Sequence, residues 1–314
     1  SSTDNHLQHF AHAAKRTQFR KAATIAFREL QSRHILPTMI IAGDPFFGLL
    51  SAFLLRKKFS RKIPIQVSFH GEITKSGFGT GIKGRLQNLF IQKTIAKVES
   101  VRLVSTDQIH FAQKLFGVSE KQIVIAPVPL ISTFKKTTRS KKKVVAFVGR
   151  IHPQRGVGTW VEAMKNLSVK AEALIIGDGP LKSTFIEDLK EIPKVSINAT
   201  GYISQSELEN TWAKISVLLS TAPFESYGMA MREAVLHGVP VVSMRNSGAQ
   251  KLHDECPKMI TLVDNAEEAA RAIEKVLDQP PSAVVVNKYK KDFLKAQESY
   301  LKSLAKSWLG NVGD

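Results

Sequence analysis

Short apolar runs recur along the chain, and helix-length segments of mixed polarity separate them. In the second half these runs occupy residues 144–148, 173–176, 195–197, 217–219 and 239–242. The first half has the same rhythm, with runs at residues 39–42, 65–69, 101–104 and 123–125. Strands that are apolar throughout are buried on both faces, and helices between them favour parallel order. We therefore predict an α/β fold with two doubly wound, Rossmann-like domains.

The boundary between the two domains is predicted from a polar, basic stretch at residues 137–143, which has no apolar anchor. It separates a first domain over residues 1–142 from a second over residues 143–286. Residues 287–314 follow as a terminal segment, in which apolar side chains recur at spacings of three and four from Tyr289 to Trp308 and predict an amphipathic helix. Residues 1–15 are polar and have no apolar core of the signal-peptide type.

Composition narrows the class of protein. With 314 residues, 43% of them apolar and 23% charged, the chain has globular proportions, which excludes disordered and fibrous classes. Its single cysteine, Cys256, can form neither an internal disulfide nor a thiolate metal cage, and this suits a reducing compartment. The longest apolar stretch, residues 39–55, contains Asp44 and Pro45 and is shorter than the roughly 20 residues of a membrane span. No transmembrane helix is predicted.

The positive charge is concentrated in the first domain. Residues 1–142 contain 24 Lys and Arg against seven Asp and Glu, whereas residues 143–314 contain 21 against 20. A field of this size attracts anionic partners, so acidic membrane lipid, a phosphorylated acceptor and nucleic acid are candidates, beside a merely solubilising surface. Nucleic acid is the weakest of these, because no nucleic-acid motif is found and aromatic residues do not alternate with the basic ones. We predict no nucleic-acid partner.

The residues that directly follow the strands carry the candidate chemistry, because ligands of parallel sheets lie beyond the carboxyl ends of the strands. Gly149, Arg150 and Arg155 follow the run at 144–148, and their guanidinium groups suit phosphate oxygens. The loop at 220–228 leads into a predicted helix over 229–237, whose amino-terminal amides favour an anion. The alternative is that both arginines are ordinary surface cations.

Two carboxylates and two glycines complete the candidate site. Glu225 lies in the loop and Glu233 two turns inside the following helix, so they can hold two ends of an elongated ligand. Gly177 and Gly179 follow the run at 173–176. The alternatives are that Glu233 is a solvated helix residue and that residues 177–180 form only a turn.

The order and spacing of these motifs, together with residues 201–204 and 238–242, resemble the retaining GT-B glycosyltransferases, in particular glycosyltransferase family 4. The resemblance covers residues 144 to about 250. It is looser in the first half, where Phe69-His70-Gly71 resembles the strand-end histidine of that family, and His70 could equally be a core histidine. Asp44 at another strand end is interpreted as a turn former.

The resemblance implies a GT-B fold in which two Rossmann-like domains face a central cleft. It implies a UDP-sugar or GDP-sugar donor bound mainly by the second domain, a glycan or lipid-linked acceptor bound mainly by the first, and retention of anomeric configuration by a front-face route. Neither a metal nor a cofactor is expected. The implied catalytic residues are His70, Arg150, Arg155 and Glu225. The implied donor-binding residues are Gly149, Gly177, Gly179, Tyr202, Ser226, Tyr227, Gly228, Met229 and Glu233.

Within this scheme each side chain has an implied role. Arg150 and Arg155 neutralise the departing diphosphate, Glu225 accepts hydrogen bonds from sugar hydroxyls, and Glu233 accepts them from the ribose. Tyr202 borders the base, and His70 approaches the donor sugar.

The sequence departs from the family in its first domain. The usual opening strand with a glycine-rich loop is absent, so this domain is expected to lack its N-terminal strands. Arg155 stands where the family more often has lysine. The remaining alternatives are a noncatalytic nucleotide-sugar-binding module and a basic nucleic-acid-binding protein. We expect a cytoplasmic protein that is peripheral on the inner face of the cell membrane.

Two segments are candidates for bilayer contact. One is the apolar run 46–50 with the basic residues Arg56 to Lys58, for which a buried helix with a charged end is the alternative. The other is the basic terminal segment, which is expected instead to cross back onto the first domain.

Overall fold

The structure, a computed structural model, describes residues 18–59, 62–70, 73, 81–130 and 142–309. These residues form two compact units. The second unit is Val128–Glu298, and the first combines the described part of Ser1–Pro127 with the residues from Ser299 onward. Most of the predicted linker at 137–143, the predicted solvated segment at 1–15 and Gly71 lie outside the described residues.

The first unit contains a parallel sheet in the order β1-β2-β3-β4. Its strands are β1 (Ile40–Ala42), β2 (Ile65–Phe69), β3 (Ser100–Leu103) and β4 (Ile123–Ile125). Its helices are α1 (Phe19–Ser32), α2 (Phe47–Lys58), α3 (Gly81–Thr94) and α4 (Gln108–Phe116). Phe69 at the end of β2 packs edge-on against Phe116 at the end of α4, and both are buried. Asp44 accepts hydrogen bonds from the amides of Phe46 and Gly48, as expected of a turn former.

The second unit contains a six-stranded parallel sheet in the order β10-β9-β8-β5-β6-β7. Its strands are β5 (Val144–Val148), β6 (Ala171–Ile176), β7 (Val195–Gly201), β8 (Val217–Ser220), β9 (Val241–Met244) and β10 (Ile260–Val263). Its helices are α5 (Val157–Lys165), α6 (Lys182–Lys190), α7 (Gln205–Thr211), α8 (Met229–Leu236), α9 (Ser247–Glu255) and α10 (Ala266–Asp278). The last helix is α11 (Ala283–Leu309), whose residues from Ser299 belong to the first unit.

Both faces of the second sheet are buried, which is why its strands are apolar throughout. In β5, Val144 and Ala146 belong to the core under α8 and α9, whereas Val145 and Phe147 belong to the core under α5 and α10. Trp160 of α5 is buried edge-on against Phe147, and its indole nitrogen donates to a strand carbonyl. The predicted doubly wound architecture is confirmed for both units.

The outermost strands of the second sheet were the least predictable. The strand β10 is not predicted from the sequence, because Thr261 is exposed and interrupts the apolar run. The apolar run that predicts β7 ends at residue 197, whereas the strand continues through exposed small and polar residues to Gly201. An edge strand is covered on fewer sides, so its sequence carries a weaker apolar signal. Over the part of the chain that the structure describes, no helix combines the length and apolar character needed to cross a bilayer.

Candidate functional site

A pocket of about 290 Å³ lies within the second unit, where β5, β8 and the start of α8 meet. It is lined by residues 147–149, Arg155, residues 218–222, Glu225, residues 228–231 and Glu233. The strands β5 and β8 are adjacent and parallel, so their carboxyl ends open at the same edge of the sheet. This is the edge at which parallel sheets bind their ligands.

Arg155 and Glu225 form an ion pair at this pocket. The Nη1 atom of Arg155 lies 2.6 Å from Oε2 of Glu225. A short turn, Pro153–Arg155, brings the arginine there and ends at Gly156, whose φ is +64°. A Cβ atom on Gly156 would lie 2.0 Å from the carbonyl oxygen of Thr221, so only glycine allows the turn to approach the end of β8. The approach holds a cation beside the loop that leads into α8.

The loop before α8 is held by hydrogen bonds from the start of α9. The carbonyl oxygen of Glu225 accepts from the amide of Gly248 at 2.7 Å and from the hydroxyl of Ser247 at 3.0 Å. Oε1 of Glu225 accepts from the amide of Tyr227 at 3.4 Å. The first turn of α8 contains no acidic side chain. Its amides therefore keep the partial positive charge that favours an anion.

A buried arginine on α8 stabilises the same loop by a hydrogen bond to its backbone. Arg232 of α8 is 1% exposed, and its Nε atom donates to the carbonyl oxygen of Tyr227 at 3.0 Å. Its guanidinium also pairs with Glu255 and lies over the ring of Tyr227, 4.2 Å from the ring centroid. Ser226 and Tyr227 are both buried and do not line the pocket, whereas Gly228 and Met229 do.

Glu233 is half-buried at another part of the pocket lining. Burial raises the pKa of its carboxyl group, and the negative charge of Glu209 raises it further. The Nε2 atom of Gln205 donates to its Oε1 at 3.4 Å, which partly opposes this shift. A carboxylate in this environment gains from accepting a hydroxyl hydrogen bond, because burial has deprived it of water.

Gly177 and Gly179 are explained by backbone packing. A Cβ atom on Gly177 would lie 1.9 Å from the carbonyl oxygen of Gly149, and one on Gly179 would lie 2.2 Å from that of Ile151. The amide of Ile151 donates to the carbonyl of Asp178, which joins the two strand ends. Gly149 lines the pocket, but neither Gly177 nor Gly179 belongs to its lining.

Arg150 and Tyr202 are exposed, Tyr202 to 83%, and neither belongs to the pocket lining. His70 lies in the first unit, directly after β2, and is also exposed. Partial burial and the positive charge of Arg102 lower the pKa of His70 and so favour its neutral form. Their roles in donor binding and catalysis stay predictions.

Several residues that position the site are not predicted from the sequence. Gln205 directly follows the motif at residues 201–204, and Arg232 directly precedes Glu233. No sequence pattern indicates that Gln205 bonds to Glu233 or that Arg232 bonds to Tyr227. The capping pattern of Asn246 and Ser247 at the start of α9 was the one detectable signal, since Asn246 accepts from the amide of Ala249. Within the described ranges, no cluster of three His, Cys, Asp or Glu side chains could hold a metal ion.

Comparison with known proteins gives a family match over the residues that form the pocket. The family model for glycosyl transferases group 1 matches residues 131–293, which contain every pocket residue. A GDP-mannose-dependent alpha-mannosyltransferase of Corynebacterium glutamicum is 30% identical over 141 residues, which are 44% of this chain and 32% of that protein. The chain spans about a third of the length of the first curated relatives that it matches.

Solved structures show the same fold. The S. aureus TarM mutant, crystallised with UDP, matches with a TM-score of 0.71 and 16% identity, over 91% of this chain and 59% of that one. Anabaena HepE in complex with UDP-glucose matches with a TM-score of 0.69 and 16% identity, over 91% and 82%. At this identity the likeness establishes two Rossmann-like domains of the GT-B type.

The family model covers more than half of the length of this chain. The chain therefore belongs to the glycosyl transferases group 1 family.

Proposed function

We propose that this chain acts as a retaining, metal-independent glycosyltransferase of family 4. It would transfer a hexose-type sugar from a UDP-sugar or GDP-sugar to a glycan or a lipid-linked acceptor. The observation that carries the proposal is the convergence, on one pocket, of Arg155, two carboxylates and the amino terminus of α8. Cations and amides suit a diphosphate, and carboxylates suit the hydroxyl groups on either side of it.

The diphosphate is held by fixed charge. Arg155 is 43% exposed, so its guanidinium can donate to phosphate oxygens while it keeps its bond to Glu225. The amides at the start of α8 and the backbone at Gly149 lie on the same pocket. Arg150 directly follows Gly149 and is exposed, and we expect its guanidinium to bind the diphosphate as well. These groups stabilise the charge that develops on the leaving diphosphate, which is the role a metal ion takes in other transferases.

The two carboxylates orient the donor. Each carboxylate oxygen has two lone pairs, so Glu225 can accept from a sugar hydroxyl although Arg155 and Tyr227 already donate to it. Glu233 accepts from the ribose hydroxyls and thereby recovers hydrogen bonds that burial removed. Glu233 lies on α8, and Glu225 lies in the loop whose backbone accepts hydrogen bonds from the start of α9.

The transfer step needs no covalent enzyme intermediate. The bond between the anomeric carbon and the diphosphate oxygen breaks, and the acceptor hydroxyl oxygen bonds to the same face of that carbon. The proton of the hydroxyl passes to the departing phosphate oxygen, so the products are the glycoside and the nucleoside diphosphate. Attack on the face that the leaving group vacates retains the anomeric configuration.

The site of action is proposed to be the cytoplasmic face of an anionic membrane. The net charge of +17 on residues 1–142 supports binding to such a membrane, because it attracts anionic lipid headgroups. Cys256 is buried and free, which supports a reducing compartment.

A thermal-shift panel of UDP, GDP, ADP and TDP sugars tests the donor site. We expect one nucleotide sugar to stabilise the wild type by about 2.7 kcal/mol at 100 times its dissociation constant. Glu233→Ala should lose this stabilisation, whereas Glu162→Ala, a substitution of an exposed carboxylate on α5, should keep it. If no nucleotide shifts the melting curve of the wild type, the donor site is wrongly assigned.

Product analysis separates the enzyme from a noncatalytic binding module. An enzyme that retains configuration releases an α-glycoside from an α-linked donor, which proton NMR of the anomeric signal detects, and excess chelator leaves the rate unchanged. Donor binding with neither transfer nor hydrolysis in an acceptor screen would favour the binding module.

A further inference from the structure

The helix α3 presents an apolar stripe to solvent. Ile82 is 81% exposed, Leu86 62% and Leu89 45%. Their spacing of four and three residues places them on one face of the helix. The opposite face carries Gly84 and Ile91, which are buried. Single exposed aliphatic residues are common on protein surfaces, but an aligned group of three on a helix indicates a contact surface.

Basic side chains border this stripe. At about 100° per residue, Lys83 and Arg85 lie on either side of it, and Lys93 lies in line with its carboxyl-terminal end. All three are exposed, and α3 contains no acidic residue. An apolar centre with cations on both flanks is the pattern of a helix lying in the interface of an anionic membrane.

The other apolar candidate of the first unit, residues 46–50, is half-buried apart from Leu49. Phe46 packs edge-on against Phe47 and against Phe90, with ring centroids 4.7 and 5.1 Å apart, and Leu49 is fully buried. Leu49 and Ala52 of α2 are buried and Lys57 and Lys58 at its end are exposed, which favours the alternative of a buried helix with a charged end. The bilayer contact at residues 46–50 stays a prediction. Phe90 is half-buried on the flank of α3, where it packs against the core of the first unit and anchors the helix.

We propose that α3 is the membrane-docking surface of this protein, with Ile82, Leu86 and Leu89 inserted at the headgroup boundary of an anionic bilayer. Lys83, Arg85 and Lys93 bind the lipid phosphates. The docking surface follows from the side chains of α3 alone. Only its purpose, which is access to a lipid-linked acceptor, rests on the proposed function.

Other occupants fit this surface less well. A nucleic acid would leave the aliphatic stripe in contact with water and phosphate. A second copy of the chain, related by a two-fold axis, would bring the same cations face to face.

Vesicle sedimentation tests the surface. We expect the wild type to pellet with vesicles of phosphatidylcholine containing phosphatidylglycerol and to remain in solution with phosphatidylcholine alone. The variant Ile82→Ser/Leu86→Ser/Leu89→Ser and the variant Lys83→Gln/Arg85→Gln/Lys93→Gln should each lose about tenfold or more in vesicle affinity. The matched control is Val284→Ser/Leu294→Ser/Leu301→Ser, which removes exposed apolar side chains from the basic helix α11 and should bind like the wild type.

A fluorescent label on Leu86→Cys gives a second, positive readout that does not depend on a triple variant folding. Cys256 is 6% exposed, and burial raises the pKa of its thiol to about 12, so the label goes to position 86. An environment-sensitive dye there should shift to the blue on addition of anionic vesicles and not of neutral ones.

Three results would overturn the proposal. They are unchanged vesicle binding by the α3 variants, loss of binding by the α11 control alone, and a wild-type dimer that the Ser substitutions dissociate. The nucleotide thermal shift should be the same in all of these variants, since none of them touches the pocket. Its absence in the wild type would count against the donor site and not against the docking surface.

Discussion

The Nε atom of Arg232 donates a hydrogen bond of 3.0 Å to the carbonyl oxygen of Tyr227, and its guanidinium lies over the ring of that tyrosine. The Arg232 side chain, which is 1% exposed, therefore stabilises the turn that precedes α8. Glu255 pairs with the same guanidinium, and the Tyr289 hydroxyl lies 3.4 Å from the carboxylate. Three segments of the second unit thus meet beneath the proposed diphosphate site.

Arg232→Met should lower the free energy of unfolding by about 1–3 kcal/mol, because the carbonyl oxygen of buried Tyr227 loses its hydrogen-bond donor. It should also weaken nucleotide binding well below the melting temperature, since the turn before α8 loses its support. Denaturant unfolding and nucleotide titration measure the two effects.

Ile273→Ala is the control for this experiment, because it creates a cavity in the opposite core of the same unit, away from the pocket lining. It should destabilise the fold and leave nucleotide affinity unchanged. Arg232→Lys should recover part of the affinity, because an ammonium group can still reach one acceptor. If Arg232→Met binds nucleotide as tightly as the wild type, Arg232 has no positioning role.

Arg155→Gln should reduce turnover by about 10²–10³-fold, since it removes a donor to the leaving diphosphate. Its effect on stability should stay within about 1 kcal/mol, because the pair with Glu225 is partly exposed to solvent. Steady-state kinetics and thermal unfolding provide these values. Arg271→Gln, which removes an exposed arginine of α10, should change neither.

Arg150→Gln should lower nucleotide affinity, because it removes a cation that is proposed to bind the diphosphate. It should leave the melting temperature unchanged, because Arg150 is exposed. Isothermal titration with the donor nucleotide measures the affinity. An affinity equal to that of the Arg271→Gln variant would remove Arg150 from the diphosphate site.

Glu233→Gln should raise the melting temperature at pH 7.5 while abolishing nucleotide binding. Burial raises the pKa of Glu233 in the folded protein above its unfolded value, so ionised Glu233 destabilises the fold as pH rises through the folded pKa. The advantage of glutamine should therefore shrink toward pH 4, where the carboxyl group is protonated in both states.

Scanning calorimetry between pH 4 and 8 tests this dependence, with Glu162→Gln on the surface of α5 as the comparison. A stability difference that stays constant across the range would show that burial of the charge is not the cause.

Gly177→Ala should destabilise the second unit by about 2 kcal/mol or more, because the new Cβ atom meets the Gly149 carbonyl and φ is +138°. Gly158→Ala in α5, where nothing lies within 4 Å of the new Cβ atom, should be neutral or stabilising by up to about 1 kcal/mol. Chemical unfolding of both variants makes the comparison. Equal stabilities would contradict the packing explanation for Gly177.

Several features could be predicted from the sequence because they depend on neighbours along the chain. The apolar run of β5 and the residues after it are local, and so is the start of α8 at Gly228. The parallel order of strands then follows from alternation with helices, and it implies that the loops after β5 and β8 open at one edge. These are the loops that line the pocket.

The partners within the site could not be predicted, because they join segments far apart in the chain. Arg155 pairs with Glu225 across 70 residues, and Gln205 reaches Glu233 across 28. Gly177 and Gly179 are predicted from the sequence either to contact the donor or to form only a turn, and the donor contact stays a prediction. Their proximity to the carbonyls of Gly149 and Ile151 appears only when two strands are side by side.

By itself, the sequence determined the two parallel α/β units, the family motifs and the concentration of positive charge in residues 1–142, since periodicity, spacing and composition are properties of the chain alone. The tertiary structure decided which charges meet, which glycines serve backbone packing, and that Ile82, Leu86 and Leu89 face outward while Leu49 is buried. The physical reason is that burial and pairing depend on distances in space, and an apolar residue has the same letter whether it is covered by the core or exposed to solvent.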